Sequence, residues 1–235
     1  MSLPFFFTDT YSPGQKLIVL DEDTSRHIAG VLRKGKGDEI LLTDGKGTKA
    51  IAVIIDDNKK KCVVEVSSAV TEEKPQPEIS IAISLIKNTS RFEWFLEKAT
   101  EIGITEIIPL LCERTEKEKF RFDRLNNILV SAMLQSKQSW LPVLHQPTTF
   151  TDVIQLNQTK QKMIAHCLKR NKRQLSTSVQ LFQSSMILIG PEGDFSEKEI
   201  NAALEKGFEA VALGTTRLRT ETAGMVAATL LKHLS

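Results

Sequence analysis

The sequence predicts an α/β protein of two domains, a small β-barrel followed by a mostly parallel sheet with helices on its faces. Three observations carry this prediction. Short β-like runs separated by turn residues fill residues 5–66, with one helical stretch among them. A charged segment with two prolines, Thr71-Glu72-Glu73-Lys74-Pro75-Gln76-Pro77, then removes backbone donors and disfavours helix. Beyond it, strand-like and helix-like runs alternate to the end of the chain.

In the first part the β-like runs are Phe5–Phe7, Lys16–Leu20, Glu39–Thr43, Lys49–Ile55 and Cys62–Val66, divided by Ser12-Pro13-Gly14, Asp44-Gly45-Lys46-Gly47 and Asp56-Asp57-Asn58. Between the second and third, Asp21–Arg33 begins polar and sets His27, Ile28, Val31 and Leu32 at helical spacing. In the second part, Ile79–Ile86 is a β-branched strand. Ser90-x-x-Glu93 reads as a capping box for a helix that faces Phe92, Phe95, Ala99 and Ile102 inward and stops at Gly103. Glu106–Leu111, Lys162–His166, Met186–Ile189 and Ala210–Leu213 read as strands, and Phe122–Gln138 as a helix. A second capping box, Ser196-x-x-Glu199, opens a helix burying Ile200, Ala203 and Leu204, and a last helix runs through Leu234.

Composition narrows the function classes. Among 235 residues, 31 Lys+Arg stand against 29 Asp+Glu, a formal net charge of +2, so any basic nucleic-acid surface is local rather than global. No window approaches the roughly 18 apolar residues of a membrane span, and Met1-Ser2-Leu3-Pro4-Phe5 is no signal peptide, so a cytoplasmic protein is expected. The three cysteines, Cys62, Cys112 and Cys167, are too scattered for a disulfide framework and read as reduced and mostly buried. The four histidines show no ligand spacing, and no metal is expected. Gly30–Lys36 has the spacing of a phosphate-binding loop, but Gly37 stands where Ser or Thr would hold magnesium and a helix precedes it. Lys169-Arg170-Asn171-Lys172-Arg173 is a solvated loop or a phosphate contact.

Open α/β sheets bind ligands beyond the carboxyl ends of their strands. Two loops qualify. Gly190-Pro191-Glu192-Gly193-Asp194-Phe195-Ser196 is a tight turn in which backbone can approach a ligand, and its two carboxylates suit a neutral or cationic ligand better than an anion. Leu213–Ala223 sets Arg217, Arg219, four threonine hydroxyls and Glu221 side by side. Ordinary turn and capping chemistry at a strand-to-helix connection accounts for either loop equally well.

With these residues in view, the chain resembles the ribosomal small subunit methyltransferase E family, a branch of the knotted SPOUT methyltransferases. The resemblance covers nearly the whole chain. It rests on Leu188–Ser196, on Leu213-Gly214 with Leu218–Ala223, and on Glu97–Gly103, supported by His27 with Val31-Leu32-Arg33, Gly37-Asp38, Ile108-Pro109, Glu113-Arg114 and Gln135-Ser136. It implies a PUA-like β-barrel for RNA over residues 1–72, a linker at 73–78, and a SPOUT α/β domain with a C-terminal trefoil knot over 79–235. It further implies a homodimer that uses S-adenosylmethionine to methylate N3 of one uridine in 16S rRNA within the assembled small ribosomal subunit. By motif matching, His166, Gly190, Pro191, Glu192, Gly193, Leu213, Gly214, Leu218, Thr220 and Ala223 line the cofactor. Two positions depart from the pattern: Asp194 replaces a usual glycine, and Thr216-Arg217 a usual arginine and aliphatic residue.

On that reading Arg219 stabilises charge developing on the uracil carbonyls and Glu221 accepts the N3 proton, directly or through water. Favourable placement in the first turn of the last helix explains Glu221 as well. Arg26, Arg33, Lys34, Lys36, Arg91 and Arg114 are candidate phosphate contacts. The alternatives are an RNA-binding assembly factor that lost catalysis, and a methyltransferase acting on another RNA.

Overall fold

The structure, a computed structural model, describes residues 3–12, 14–116, 119–169 and 171–234. The opening Met1 and Ser2, the Pro13 of the first turn and the Arg170 of the basic run lie outside the described residues. The chain divides into two compact units, residues 1–74 with 133–141, and residues 75–132 with 142–235.

The first unit holds β1 (Phe5–Phe7), β2 (Leu17–Val19), β3 (Glu39–Thr43), β4 (Thr48–Asp56) and β5 (Val63–Thr71) in one sheet of order β1-β3-β4-β5-β2. Period-two alternation along β4 sends Ala50, Ala52 and Ile54 inward, where they meet Ile18, Ile40, Leu42 and Val64 in an apolar core. Two register shifts between β4 and β5 bend that pair. Asp21 caps α1 (Glu22–Arg26) by accepting from Thr24 N–H at 2.9 Å, and the chain continues as a π-helix, His27–Val31. The inward face expected there is reduced to Ile28: Val31 and Leu32 are exposed, because the wider π turn takes them off the α-helical spacing. The same unit includes Ser139–Leu141, whose backbone meets the β3–β4 turn at Gly45 and Gly47, a pairing that no local pattern announces.

The second unit is built on β6 (Ile79–Ser84), β7 (Glu106–Leu111), β8 (Val143–Leu144), β9 (Thr148–Thr149), β10 (Gln161–Ala165), β11 (Arg173–Gln174), β12 (Ser185–Ile189) and β13 (Glu209–Ala212). The sheet order is β11-β13-β10-β12-β6-β7-β8, with β9 also on β7, and every pairing is parallel. The central strands are buried along their length, as strands covered on both faces are: β6 and β12 are buried at every residue and apolar except at Ser80, Ser84 and Ser185. The helices are α2 (Thr89–Ile102), α3 (Phe122–Gln135), α4 (Phe150–Leu156), α5 (Leu175–Ser178), α6 (Glu197–Glu205) and α7 (Thr220–Leu234).

Helix α2 starts earlier than its Ser90-x-x-Glu93 pattern suggests. Asn88 is the cap, its side chain accepting from the N–H groups of Ser90 and Arg91, and Glu93 instead pairs with Arg124 at 2.7 Å. With the helix begun by Asn88, Ser90 lies inside its first turn and donates its own N–H to the cap instead of serving as one. Gly103 ends the helix at φ +89, and Phe92, Phe95 and Ala99 are buried as the spacing requires. The capping box of Ser196 and Glu199 at α6 is formed in full. Helix α7 returns from β13 to pack on α2 and β6, a close approach that Gly224 permits.

Candidate functional site

Strands β13, β10 and β12 are neighbours in the sheet, and their register sets Ala165 opposite both Ile189 and Val211. The residues that follow therefore leave the same end of the sheet side by side. His166-Cys167, Gly190–Asp194 and the Leu213–Arg219 loop together line a cavity of about 750 Å³, within the usual range of ligand sites.

Each wall has a local cause. At Gly190 a Cβ would lie 3.0–3.1 Å from the ring and backbone N of Phe195, which is itself buried against Phe150 with ring centroids 5.4 Å apart. A larger residue there would have to push Phe195 aside by a few tenths of an ångström, so glycine suits the close fold of the loop onto that aromatic anchor. Gly193 takes φ +95 and Asp194 φ +70, so the residue that stands for a glycine adopts the left-handed conformation after all, which Asp tolerates better than most. Gly214, at φ +138, has open space where a Cβ would be. Three further bonds fasten the walls: Thr220 Oγ1 donates to the Gly190 carbonyl at 3.0 Å, Arg114 Nη1 to the Gly193 carbonyl at 2.6 Å, and Lys172 Nζ to the His166 carbonyl.

All ten residues expected to contact a cofactor line this cavity: His166, Gly190, Pro191, Glu192, Gly193, Leu213, Gly214, Leu218, Thr220 and Ala223. Arg219 lines it too. Glu221 does not; it is buried at the start of α7, with Oε1 3.7 Å from Arg91 Nε. Lys172, from the basic run expected as a solvated loop or a phosphate contact, also forms part of the cavity wall. Arg173 of the same run pairs with Glu209 at 3.6 Å. A cue was available, since the run directly follows the strand that carries His166.

The candidate phosphate contacts divide. Arg26 pairs with Glu22 at 2.6 Å and Lys34 with Asp38 at 3.3 Å, while Arg33, at φ +53, and Lys36 are exposed. Arg91 and Arg114 are engaged with Glu221 and Gly193 as above. Of the cysteines, Cys62 and Cys112 are buried, their thiols pushed up to about 11 and about 12 chiefly by that burial, whereas Cys167 is exposed at the cavity. Among the described residues, no group of His, Cys, Asp and Glu side chains could hold a metal ion, and no helix is long and apolar enough to cross a membrane.

Comparison with known proteins agrees with this geometry. A family model described as an RNA methyltransferase domain matches residues 72–232, and one described as an RNA methyltransferase PUA domain matches residues 12–67. A ribosomal RNA small subunit methyltransferase E from Synechocystis is 32% identical over 208 residues, covering 86% of this chain and 68% of that protein. The chain belongs to the ribosomal RNA small subunit methyltransferase E family.

Solved structures of similar proteins extend the match to nearly the full length. A probable rRNA methyltransferase from Porphyromonas gingivalis superposes with a TM-score of 0.92 at 38% identity, covering 99% of this chain and 98% of that one. The family's enzyme from Neisseria gonorrhoeae, bound to S-adenosyl methionine, superposes with a TM-score of 0.87 at 27% identity over 99% and 98% of the two chains. The α/β fold with a mostly parallel sheet and a PUA-like N-terminal part, expected from the sequence, is the fold observed.

Proposed function

We propose that this chain transfers a methyl group from S-adenosylmethionine to N3 of a uridine in 16S rRNA, acting in the cytoplasm as a homodimer on the assembled small ribosomal subunit. The observation that carries the reading is the convergence of Gly190–Asp194, Leu213–Thr220 and His166 on one cavity at the carboxyl ends of adjacent parallel strands.

The residues present fit that cofactor. At Gly190, Gly193 and Gly214 the walls bring backbone within reach of a ligand, and the missing side chain at Gly214 leaves room for a ligand atom. Glu192 and Asp194 supply negative charge, which suits a sulfonium and opposes a phosphate. When bound, S-adenosylmethionine supplies an electrophilic methyl group on a positively charged sulfur.

The chain's own task is to position the acceptor and manage its proton. An exposed guanidinium at Arg219, at the mouth of the cavity, stabilises the negative charge that spreads over the uracil carbonyl oxygens as N3 becomes a nucleophile. Glu221, outside the cavity lining and held beside Arg91, takes the N3 proton through water. Arg33 and Lys36, exposed on the first unit, supply phosphate contacts to the RNA.

The test supplies small subunits from a strain lacking the modification, adds the protein with methyl-labelled cofactor, and maps the label by nucleoside mass spectrometry. One methyl group on N3 of a single 16S uridine is expected. Label on another base or another RNA, or absence of cofactor binding by calorimetry, overturns the reading.

A further inference from the structure

Asp194 makes a connection that the proposed chemistry has not used. Its carboxylate bridges two walls of the cavity that belong to different strands. Oδ2 accepts the N–H of Cys167 at 2.7 Å, and Oδ1 accepts the N–H of Phe195 at 2.9 Å. The Asp194 N–H itself closes the turn on the Pro191 carbonyl at 3.0 Å. Cys167 is the second residue beyond β10, while Asp194 sits in the loop that follows β12, and both line the cavity. The ladder between β10 and β12 fixes their spacing only as far as Ala165 and Ile189. Past those residues the two chains are loops, and the spacing there has to be set by side chains.

We infer that Asp194 is a positioning residue of the cofactor site, a clasp that sets the width of the cavity between the His166-Cys167 segment and the Gly190–Gly193 loop. The inference rests on the proposed S-adenosylmethionine reading. A carboxylate suits the role because two amide donors converge on it and both of its oxygens are acceptors; an asparagine offers one acceptor and would turn its NH₂ toward a donor. Charge assistance makes these bonds stronger than neutral ones. A cavity held open at its working width spares a ligand part of the ordering that binding would otherwise require.

The experiment compares Asp194→Gly and Asp194→Asn with the unaltered protein. Glycine is at ease at φ +70 and asparagine tolerates it, so both variants keep the backbone path, which circular dichroism and a thermal melt verify. Amide hydrogen exchange is followed at Cys167 in cofactor-free protein, S-adenosylmethionine affinity by calorimetry, and KM and kcat separately on small subunits. In Asp194→Gly, exchange at Cys167 accelerates roughly tenfold or more while the amides of β10 keep their protection, consistent with loss of a bond to a charged acceptor. The Kd and KM for the cofactor rise about tenfold with kcat within about twofold, and Asp194→Asn falls between the two, since it retains one acceptor. Unchanged exchange at Cys167, or unchanged affinity in Asp194→Gly where the unaltered protein binds, overturns the clasp. Failure of the unaltered protein to bind S-adenosylmethionine overturns the cofactor reading instead, with the exchange arm still reporting whether the clasp exists.

Discussion

Thr220 Oγ1 donates a hydrogen bond to the carbonyl of Gly190 at 3.0 Å, joining the first residue of the last helix to the first residue of the glycine loop. Thr220 is buried, so its hydroxyl makes this bond away from bulk water. Thr220→Val, which keeps the shape and deletes the donor, is expected to lower stability by about 1 kcal/mol, while Thr220→Ser stays close to the parent. Urea unfolding with an unchanged m-value measures this, and equal midpoints for Val and Ser would contradict it.

Gly224 lies inside α7, where alanine ordinarily stabilises a helix by up to about 1 kcal/mol. Here the sign reverses. A Cβ at Gly224 would sit 2.7 Å from Phe95 Cε2 and 2.8 Å from Ile83 Cδ1, both in buried side chains. Overpacking at such a site costs about 1–3 kcal/mol, so Gly224→Ala should melt earlier than the parent, and a later melt would show that α7 shifts freely on β6.

Arg219→Ala should lower kcat by about 100-fold, the usual cost of removing one donor from a site of developing negative charge, with cofactor affinity unchanged. Glu221→Gln separates two roles for a carboxylate lying 3.7 Å from Arg91. As proton acceptor, its loss depresses kcat while the melting temperature stays at the parent value. Unchanged kcat with reduced thermal stability would assign Glu221 to the helix terminus and its ion pair.

His145 Nε2 lies 2.7 Å from Glu106 Oε1, and that hydrogen bond holds the imidazole pKa above its ordinary value near 6.5. A folded-state pKa raised above the unfolded one stabilises fully below about pH 6.5, and the benefit disappears as pH climbs through the folded value. The side chain is 40% exposed, so solvent screening limits the effect to about 0.5 kcal/mol. His145→Gln should therefore be less stable than the parent at about pH 5.5 and equal to it at about pH 9; a difference that grows with pH would refute the assignment.

What the sequence determined by itself was local. Alternating runs, the capping box of Ser196 with Glu199, the stop at Gly103 and the two strand-to-helix loops are each written within a few neighbouring residues, where periodicity and capping rules operate. The resemblance named ten residues for a cofactor, and the fold brought all ten to one cavity, whose wall also holds Cys167 and Lys172, which the resemblance did not name. Only the tertiary structure decided what depends on neighbours remote in the chain. It placed β10 between β12 and β13, paired Glu221 with Arg91 rather than with the cavity, and turned the Asp194 carboxylate onto an amide 27 residues away. It also drew Ser139–Leu141 to the turn at Gly45 and Gly47. The physical reason is common to all four. Strand order and long-range side-chain pairing follow from how buried surfaces close on one another, and neither hydrophobic period nor turn chemistry encodes which distant segment completes the contact.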